Sequence, residues 1–193
     1  MEQSRFLVEN KVADIKVLYG EKKSAPLLKF ALTFFKVLIL NKLKIESEII
    51  VTPPEGIAFI IPNNRRVPDF ILLALEKKMY LLGFKIFKNK YGQPDLIHCQ
   101  SGMDAAIFAN LINRKFNIPF VITEQQVFVF HYYSKQRAKL VLDGFKRASK
   151  IGAGSFGERT QILINQPDCN PGIIWNLVRE DQFDIDLSKR DSK

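Results

Sequence analysis

The sequence has few of the residues that build secreted or metal-binding proteins. Only two cysteines, Cys99 and Cys169, occur among 193 residues, and neither belongs to a paired Cys or His spacing. This spacing indicates neither a disulfide framework nor a zinc motif. The first nine residues contain two acids and no apolar core, unlike a secretory signal. We therefore expect a reduced, cytoplasmic protein that needs no metal.

Long apolar runs are missing as well. The longest, Leu27 to Leu40, is interrupted by Lys29 and Lys36 and is shorter than the roughly 20 residues that span a bilayer. Apolar residues nearly encircle the helix expected from Pro26 to about Lys44, which favours burial between the sheet and a neighbouring element. The alternative is that this basic, apolar helix contacts an anionic membrane, which would hold the protein at the inner face of that membrane.

Apolar residues and positive charge are abundant. A hydrophobic content of 47%, with 16 phenylalanines, is enough to fill a sizeable core in one domain. The net charge of +9 attracts anions such as phosphorylated small molecules, acidic lipids or nucleic acid. The lysines are scattered rather than clustered with aromatic residues, so we expect no nucleic acid partner, and a nucleic-acid-binding domain is a hypothesis that rests on charge alone.

Helical and extended patterns alternate along the chain. Helices are predicted over 2–11, 26–44, 68–89, 104–116, 134–149 and 158–163, and strands over 13–19, 95–100, 118–123, 150–153 and 172–175. The short runs 48–52 and 57–61 indicate either a strand pair or an irregular segment. This order predicts an α/β, Rossmann-like three-layer αβα domain with a mostly parallel sheet, in which 95–123 is a right-handed βαβ unit. Such sheets bind ligands beyond the carboxyl ends of their strands, so function is expected in the loops after Gln100, Thr123 and Ala153.

Four segments carry a resemblance to a known family. They are Pro94-Asp95-Leu96-Ile97-His98 with Ser101, Ile118 to Glu124, a strand ending near Ser155, and Ile173-Ile174-Trp175-Asn176-Leu177-Val178 with Phe183. In order and spacing they resemble the amino-terminal, acceptor-side domain of family 4 glycosyltransferases, which have the GT-B fold. Glu2-Gln3 with Phe6 and Leu7 resembles the helix that follows the first strand of that domain.

The resemblance implies a domain over 1–187 that lacks its first strand, a polar tail over 188–193, and a missing carboxy-terminal domain that binds the donor. It also implies transfer of a sugar from a nucleotide-sugar to a glycan or lipid-linked acceptor, as in the synthesis of cell-surface polysaccharides. The nucleotide-sugar is a substrate, and no cofactor or metal is expected. Without a separate donor-binding domain, we expect the chain to be inactive.

The resemblance assigns contacts with acceptor or donor to Gly102, Asp104, Glu124, Gln125 and Ser155. The catalytic residue stays unassigned, because Gln125 occupies the position where the family commonly has His, and Gln cannot carry a proton. Structural alternatives remain open: Gly102 turns the chain, Asp104 caps a helix, and Ser155 forms a capping box with Glu158. His98, in an apolar strand, is typical of a hydrogen-bonded core residue.

Two further interpretations remain to be weighed. Residues 152–157 formally match the dinucleotide fingerprint G-x-G-x-x-G, but the strand at 172–175 is followed by Asn176 instead of an acid, which favours coincidence. The second interpretation is that the protein is a non-catalytic remnant or a binding module that has kept this fold but lost the donor domain and the family's His.

Overall fold

The computed structural model describes residues 12–46, 55–126, 130 and 133–175. Within these ranges strands and helices alternate, as the sequence predicts. The elements are β1 (Val17–Ser24), α1 (Leu27–Leu38), β2 (Gly56–Asn63), α2 (Asp69–Tyr91), β3 (Ile97–Gln100), α3 (Ala105–Phe116), β4 (Phe120–Glu124), α4 (Lys135–Arg147), β5 (Lys150–Ala153), α5 (Phe156–Asn165) and β6 (Gly172–Ile173).

All pairings between the described strands are parallel. β1 pairs with β2, and a second sheet has the order β3-β4-β5-β6. The α/β class and its Rossmann-like three-layer αβα arrangement are therefore confirmed, as is the parallel pairing of the two strands in the predicted βαβ unit. The strands are divided between two sheets instead of forming one, and among the described strands no backbone pairing joins the sheets.

Side chains of α2 connect the two sheets. The ring of Tyr80 packs edge-on against Phe59 of β2, with centroids 5.2 Å apart, and stacks on Phe108 of α3 at 3.9 Å. Leu18 of β1 and Ile97 of β3 also pack against one shared apolar cluster. The core is therefore continuous across the break in the backbone ladder.

The first strand begins later than predicted and does not end at Gly20. Gly20 lies inside β1, in register with Phe59. A Cβ atom at this position would lie 2.7 Å from Ile61 and 2.9 Å from both Phe59 and Tyr80. The glycine thus makes room for close packing of side chains over the strand, whereas the predicted strand stopped just before it, at residue 19.

Helix α1 differs most from its prediction. It ends at Leu38 instead of near Lys44, and the structure buries only Phe30 and Val37. The expectation of a largely buried helix is wrong, because α1 lies at the surface and turns only one of its faces to the core. Four of its other large apolar side chains are exposed: Leu27 53%, Leu28 73%, Leu32 53% and Phe35 52%.

The remaining predicted elements are found with shifted ends, and some lie outside the described residues. α5 has 10 residues, more than the six predicted, and β6 has two. The predicted helix 2–11, the run 48–52, Phe183 and the tail 188–193 fall outside the described residues. Within the described ranges, none of the helices combines the length and apolar character needed to cross a membrane.

Candidate functional site

The carboxyl ends of β3, β4 and β5 meet at one edge of the larger sheet. The amide of Ser101 donates to the carbonyl oxygen of Thr123 at 2.8 Å, and the amide of Gly154 donates to the carbonyl oxygen of Glu124 at 3.0 Å. The loops after these three strands therefore lie together, as expected for neighbouring parallel strands. This edge is our candidate site.

Glu124 links the loops of this edge. Its side chain is completely buried and accepts hydrogen bonds from the Gly102 amide at 2.8 Å, the Gln125 and Gln126 amides at 3.0 Å each, and the Ser101 hydroxyl at 3.2 Å. Burial raises the pKa of Glu124, and these four donors counteract part of that rise. With both oxygens occupied, the carboxylate acts here as a positioning group and not as an exposed base.

The turn after β3 is tightly constrained. Ser101 has a φ of 73°, in the left-handed region that non-glycine residues seldom adopt, and such strain is frequent at functional sites. A Cβ atom on Gly102 would lie 2.2 Å from Cζ of Phe145 and 3.0 Å from Oε2 of Glu124. Gly102 therefore does more than turn the chain: only glycine lets the backbone approach both groups.

Asp104 makes ion pairs instead of a cap. It occupies the N-cap position of α3, but its side chain makes no capping hydrogen bond. Oδ2 lies 2.6 Å from Nζ of Lys22, and Oδ1 accepts from Nη1 of Arg137 at 2.8 Å. The capping alternative for Asp104 is wrong, because these two cations hold the carboxylate instead.

Asp104 belongs to a larger set of charges, which we call the Arg137 cluster: Arg137, Lys22, Asp69, Glu76 and Asp104. Arg137 is 4% exposed, and its guanidinium group donates to Asp69 at 2.9 Å and to Glu76 at 2.9 Å. Lys22 also lies 3.2 Å from Glu76. Three carboxylates face two cations, so the excess charge of the cluster is negative and it does not favour a diphosphate.

The electrostatics of the cluster predict a dependence of stability on pH. Burial alone would raise the pKa of Asp104, but the charges of Lys22 and Arg137 outweigh it and hold the pKa below its ordinary value of 3.8. For Asp69, hydrogen bonds from Arg137 and Ser134 similarly outweigh burial and lower the pKa. A carboxyl group with a lowered pKa stabilises the fold above its unfolded pKa, and this stabilisation is lost as the pH falls through the folded pKa.

We therefore expect Asp104→Asn to lower the free energy of unfolding by about 1–2 kcal/mol at neutral pH. The deficit should shrink as the pH falls below 3.8, the ordinary pKa of the carboxyl group, because the wild-type side chain then also loses its charge. Urea unfolding of both proteins over a pH series measures this. Asp95→Asn, at an exposed position, is the matched control. A deficit that does not change with pH would contradict the assignment.

Ser155 is a helix cap, as one interpretation predicted. Its hydroxyl accepts from the Glu158 amide at 3.2 Å at the start of α5. Oε2 of Glu158 is buried and has no hydrogen-bond partner among the described residues. A Cβ atom on Gly154 would lie 2.9 Å from that oxygen, so this acceptor lies beside the loop after β5.

Packing accounts for one glycine of the formal dinucleotide fingerprint. Gly152 lies in β5, and a Cβ atom there would meet Cδ1 of Ile174 at 2.3 Å. Ile174 is 47% exposed and its side chain can shift, so the contact gives Gly152 a packing role without requiring a glycine there. A packing role agrees with the interpretation of the match as coincidence.

His98 was expected to be a hydrogen-bonded residue of the core. Nε2 of His98 lies 2.8 Å from Oγ1 of Thr123, so the expected hydrogen bond is present. The side chain is nevertheless exposed, on a strand at the edge of the sheet that the described strands form, so its expected placement in the core is wrong. Burial by neighbouring groups still lowers the pKa of His98. His131 lies outside the described residues.

The structure thus brings together Gly102, Glu124 and Gln125, with Ser155 on the adjoining loop, while Asp104 faces the Arg137 cluster. Sequence reasoning named Asp104 of this cluster but missed Lys22, Arg137, Asp69 and Glu76. The local signal for this region was Ser134, whose hydroxyl accepts from the Arg137 amide at 3.1 Å and caps α4. A Ser at a helix start predicts a cap, but it does not predict that the third residue after it is a buried arginine.

Outside the candidate site, the structure shows no metal site. Among the described residues, no group of three or more His, Cys, Asp or Glu side chains is arranged to hold a metal ion. A depression lies at the amino ends of β3 and β4, and it is lined by Gln93, Pro94, Asp95, Asn117, Ile118 and Pro119. This places it away from the loops at the carboxyl ends.

Comparison with known proteins gives no match to this sequence, either among protein family models or among curated proteins.

Proposed function

We propose that this chain is the acceptor-side domain of a glycosyltransferase that takes its sugar from a nucleotide-sugar and passes it to a glycan or lipid-linked acceptor. The proposal rests on the sequence resemblance for the class of reaction and on one structural observation for the site. That observation is Glu124, whose buried carboxylate and carbonyl oxygens tie together the loops after β3, β4 and β5.

The charges of the described residues support a division of labour between this chain and a separate donor-binding domain. Departure of a nucleoside diphosphate from the sugar needs cationic or N–H support near the phosphates. Lys22 and Arg137, the two cations that contact the predicted site residue Asp104, are held by carboxylates. We propose that diphosphate is bound by the donor-binding domain, and that this chain presents the acceptor.

Individual residues then take distinct roles. Glu124 positions the backbone amides of Gln125 and Gln126, and the side chain of Gln125, exposed at the end of β4, contacts the reacting sugars. An amide can donate and accept hydrogen bonds to hydroxyl groups but cannot transfer a proton. Oε2 of Glu158, a buried acceptor beside Gly154, suits a sugar hydroxyl.

Sugar transfer tests the proposal. The chain is mixed with and without a separately produced donor-binding domain, and radiolabelled nucleotide-sugars are supplied together with extracted membrane lipids or glycans. Incorporation is expected only in the mixture. With the chain folded, no incorporation under either condition would favour the second candidate, a non-catalytic binding module. Gln125 supports this candidate because an amide cannot act as a general acid or base.

Within that assay, Gln125→Ala is expected to lower transfer by about tenfold or more, since it removes a hydrogen-bonding group from the reacting sugars. Gln126→Ala is the matched control, because Gln126 is also exposed and its amide donates to the same oxygen of Glu124 at 3.0 Å. Neither substitution alters the backbone amides. Equal loss in both variants would argue against a specific role for Gln125.

A further inference from the structure

An apolar stripe runs along the exposed face of α1. It consists of Leu28, Leu32, Phe35 and Ile39, of which the last is the residue that ends the helix. Successive members are four, three and four residues apart, the spacing that aligns side chains along one side of a helix. Their exposed fractions are 73%, 53%, 52% and 62%. We call these four residues the α1 stripe.

The α1 stripe is separate from the face that builds the core. Phe30 and Val37 point to the opposite side of the helix, where they are 6% and 1% exposed and pack with residues of β2 and α2. Packing among the described residues therefore does not explain the stripe. Exposed apolar side chains in a continuous row indicate a surface that contacts something else.

Positive charge accompanies the α1 stripe. Between Pro26 and Ile45 there are four lysines and no acid. Lys29 and Lys36 lie beside the stripe on α1, are exposed, and form no ion pair among the described residues. Lys42 is exposed shortly after the helix, and Lys44 pairs with Glu46 at 2.8 Å.

We propose that the α1 stripe inserts into the headgroup region of an anionic lipid membrane, with the flanking lysines at the lipid phosphates. An apolar face with lysines along its border is the pattern of helices that lie in a membrane interface. Lysine is depleted in protein–protein interfaces, so the same border disfavours a second protein as the occupant. The net charge of +9 adds attraction to an acidic surface.

The start of α1 lies at the same end of the strands as the candidate site. The amide of Ala25 donates to the carbonyl oxygen of Asn63 at 2.9 Å, and Nδ2 of Asn64 donates to the carbonyl oxygen of Ala25 at 2.8 Å. This fixes the helix start beside the carboxyl ends of β1 and β2. The membrane proposal does not depend on the proposed sugar transfer, and its test below needs no activity.

Cosedimentation with vesicles tests the membrane proposal. The full chain is mixed with vesicles of equimolar phosphatidylcholine and phosphatidylglycerol, and separately with phosphatidylcholine alone. We expect binding to the anionic vesicles that weakens as salt is added. The double substitution Leu28→Ser and Phe35→Ser should lower the apparent affinity about tenfold or more, because two apolar side chains no longer enter the lipid.

Matched controls separate the stripe from general effects. Ile164 of α5 is 73% exposed, the same fraction as Leu28, so Ile164→Ser should leave vesicle binding unchanged. For charge, Lys29→Glu with Lys36→Glu should weaken binding more than Lys115→Glu with Lys146→Glu, which changes the net charge equally at exposed positions. Circular dichroism confirms that each variant is folded.

Three results would overturn the proposal. The first is failure of the wild-type chain to bind anionic vesicles, and the second is equal binding by the stripe variant. The third is a concentration-dependent dimer, seen by analytical ultracentrifugation, that the stripe substitutions convert to monomer without any vesicle binding, which would assign the stripe to contact between copies of the chain.

Discussion

Replacing Arg137 with methionine is expected to lower the free energy of unfolding by about 3–5 kcal/mol, the cost of leaving buried charges without their partner. Arg137 is 4% exposed and Glu76 is 3% exposed, so the carboxylate of Glu76 would lose its buried cation in a place with little access to water. Asp69 and Asp104 would lose a charged donor as well. Methionine keeps most of the side-chain volume, so the decrease in the free energy of unfolding measures the loss of the charge and not the creation of a cavity.

Chemical unfolding at neutral pH measures this loss. Arg147→Met is the matched control: Arg147 lies on the same helix, is exposed, and donates to Asn113 at 3.2 Å, so its removal should change the free energy by less than about 0.5 kcal/mol. Arg137→Lys should recover only part of the stability, because one ammonium group cannot reach three carboxylates in the fixed geometry of a guanidinium group. A loss equal to that of the control would mean that the cluster does not stabilise the fold.

Replacing Gly102 with alanine is expected to destabilise the protein by about 3 kcal/mol, near the upper end for added volume in a packed core. The new methyl group would lie 2.2 Å from Cζ of Phe145, and Phe145 is 1% exposed and has no room to move aside. It would also lie 3.0 Å from Oε2 of Glu124 and disturb the hydrogen bond from the Gly102 amide. Stability and the geometry of the candidate site should therefore be lost together.

Gly157→Ala provides the comparison. Gly157 lies in α5, and a Cβ atom there has only the Ser155 hydroxyl oxygen nearby, at 3.8 Å. Alanine is favoured over glycine inside a helix, so this variant should be more stable than the wild type by about 0.5–1 kcal/mol. Thermal unfolding of both variants gives the two shifts, which should have opposite signs. A stable Gly102→Ala protein would show that the turn after β3 can relax.

The sequence predicted those elements whose pattern is local. β3, α3, β4, α4 and β5 were all found near their predicted positions, because alternation and helical periodicity each depend on neighbouring residues. Gly20 shows the limit of such rules. Glycine frequently ends a strand, but here its lack of a side chain makes room for Ile61, Phe59 and Tyr80, which come from distant parts of the chain.

Helix α1 shows a second limit. A helix with apolar residues on most sides was predicted to be buried, but the surrounding elements cover only one side of it. Hydrophobicity alone does not indicate how many faces of a helix find partners. That depends on how the sheets and helices are arranged, which a single sequence does not specify.

The candidate site was predictable in outline only. The edge of the sheet and the loops after β3, β4 and β5 follow from the parallel order of the strands, and the cap at Ser155 follows from its spacing to Glu158. The Arg137 cluster does not, because Asp69 and Arg137 are 68 residues apart in sequence and Lys22 and Asp104 are 82 apart. Contacts of this kind leave no periodic pattern in the chain.

The separation of β1 and β2 from the other strands has a consequence for how the protein unfolds. Opening this pair would break the packing around Tyr80 and the ion pairs of Lys22, but it would leave the hydrogen-bonded ladder of β3 to β6 whole. Amide hydrogens in the small sheet can then exchange with solvent through local openings, whereas exchange in the large sheet requires global unfolding. We therefore expect amide exchange to be faster in β1 and β2 than in the larger sheet, although one continuous core packs against both.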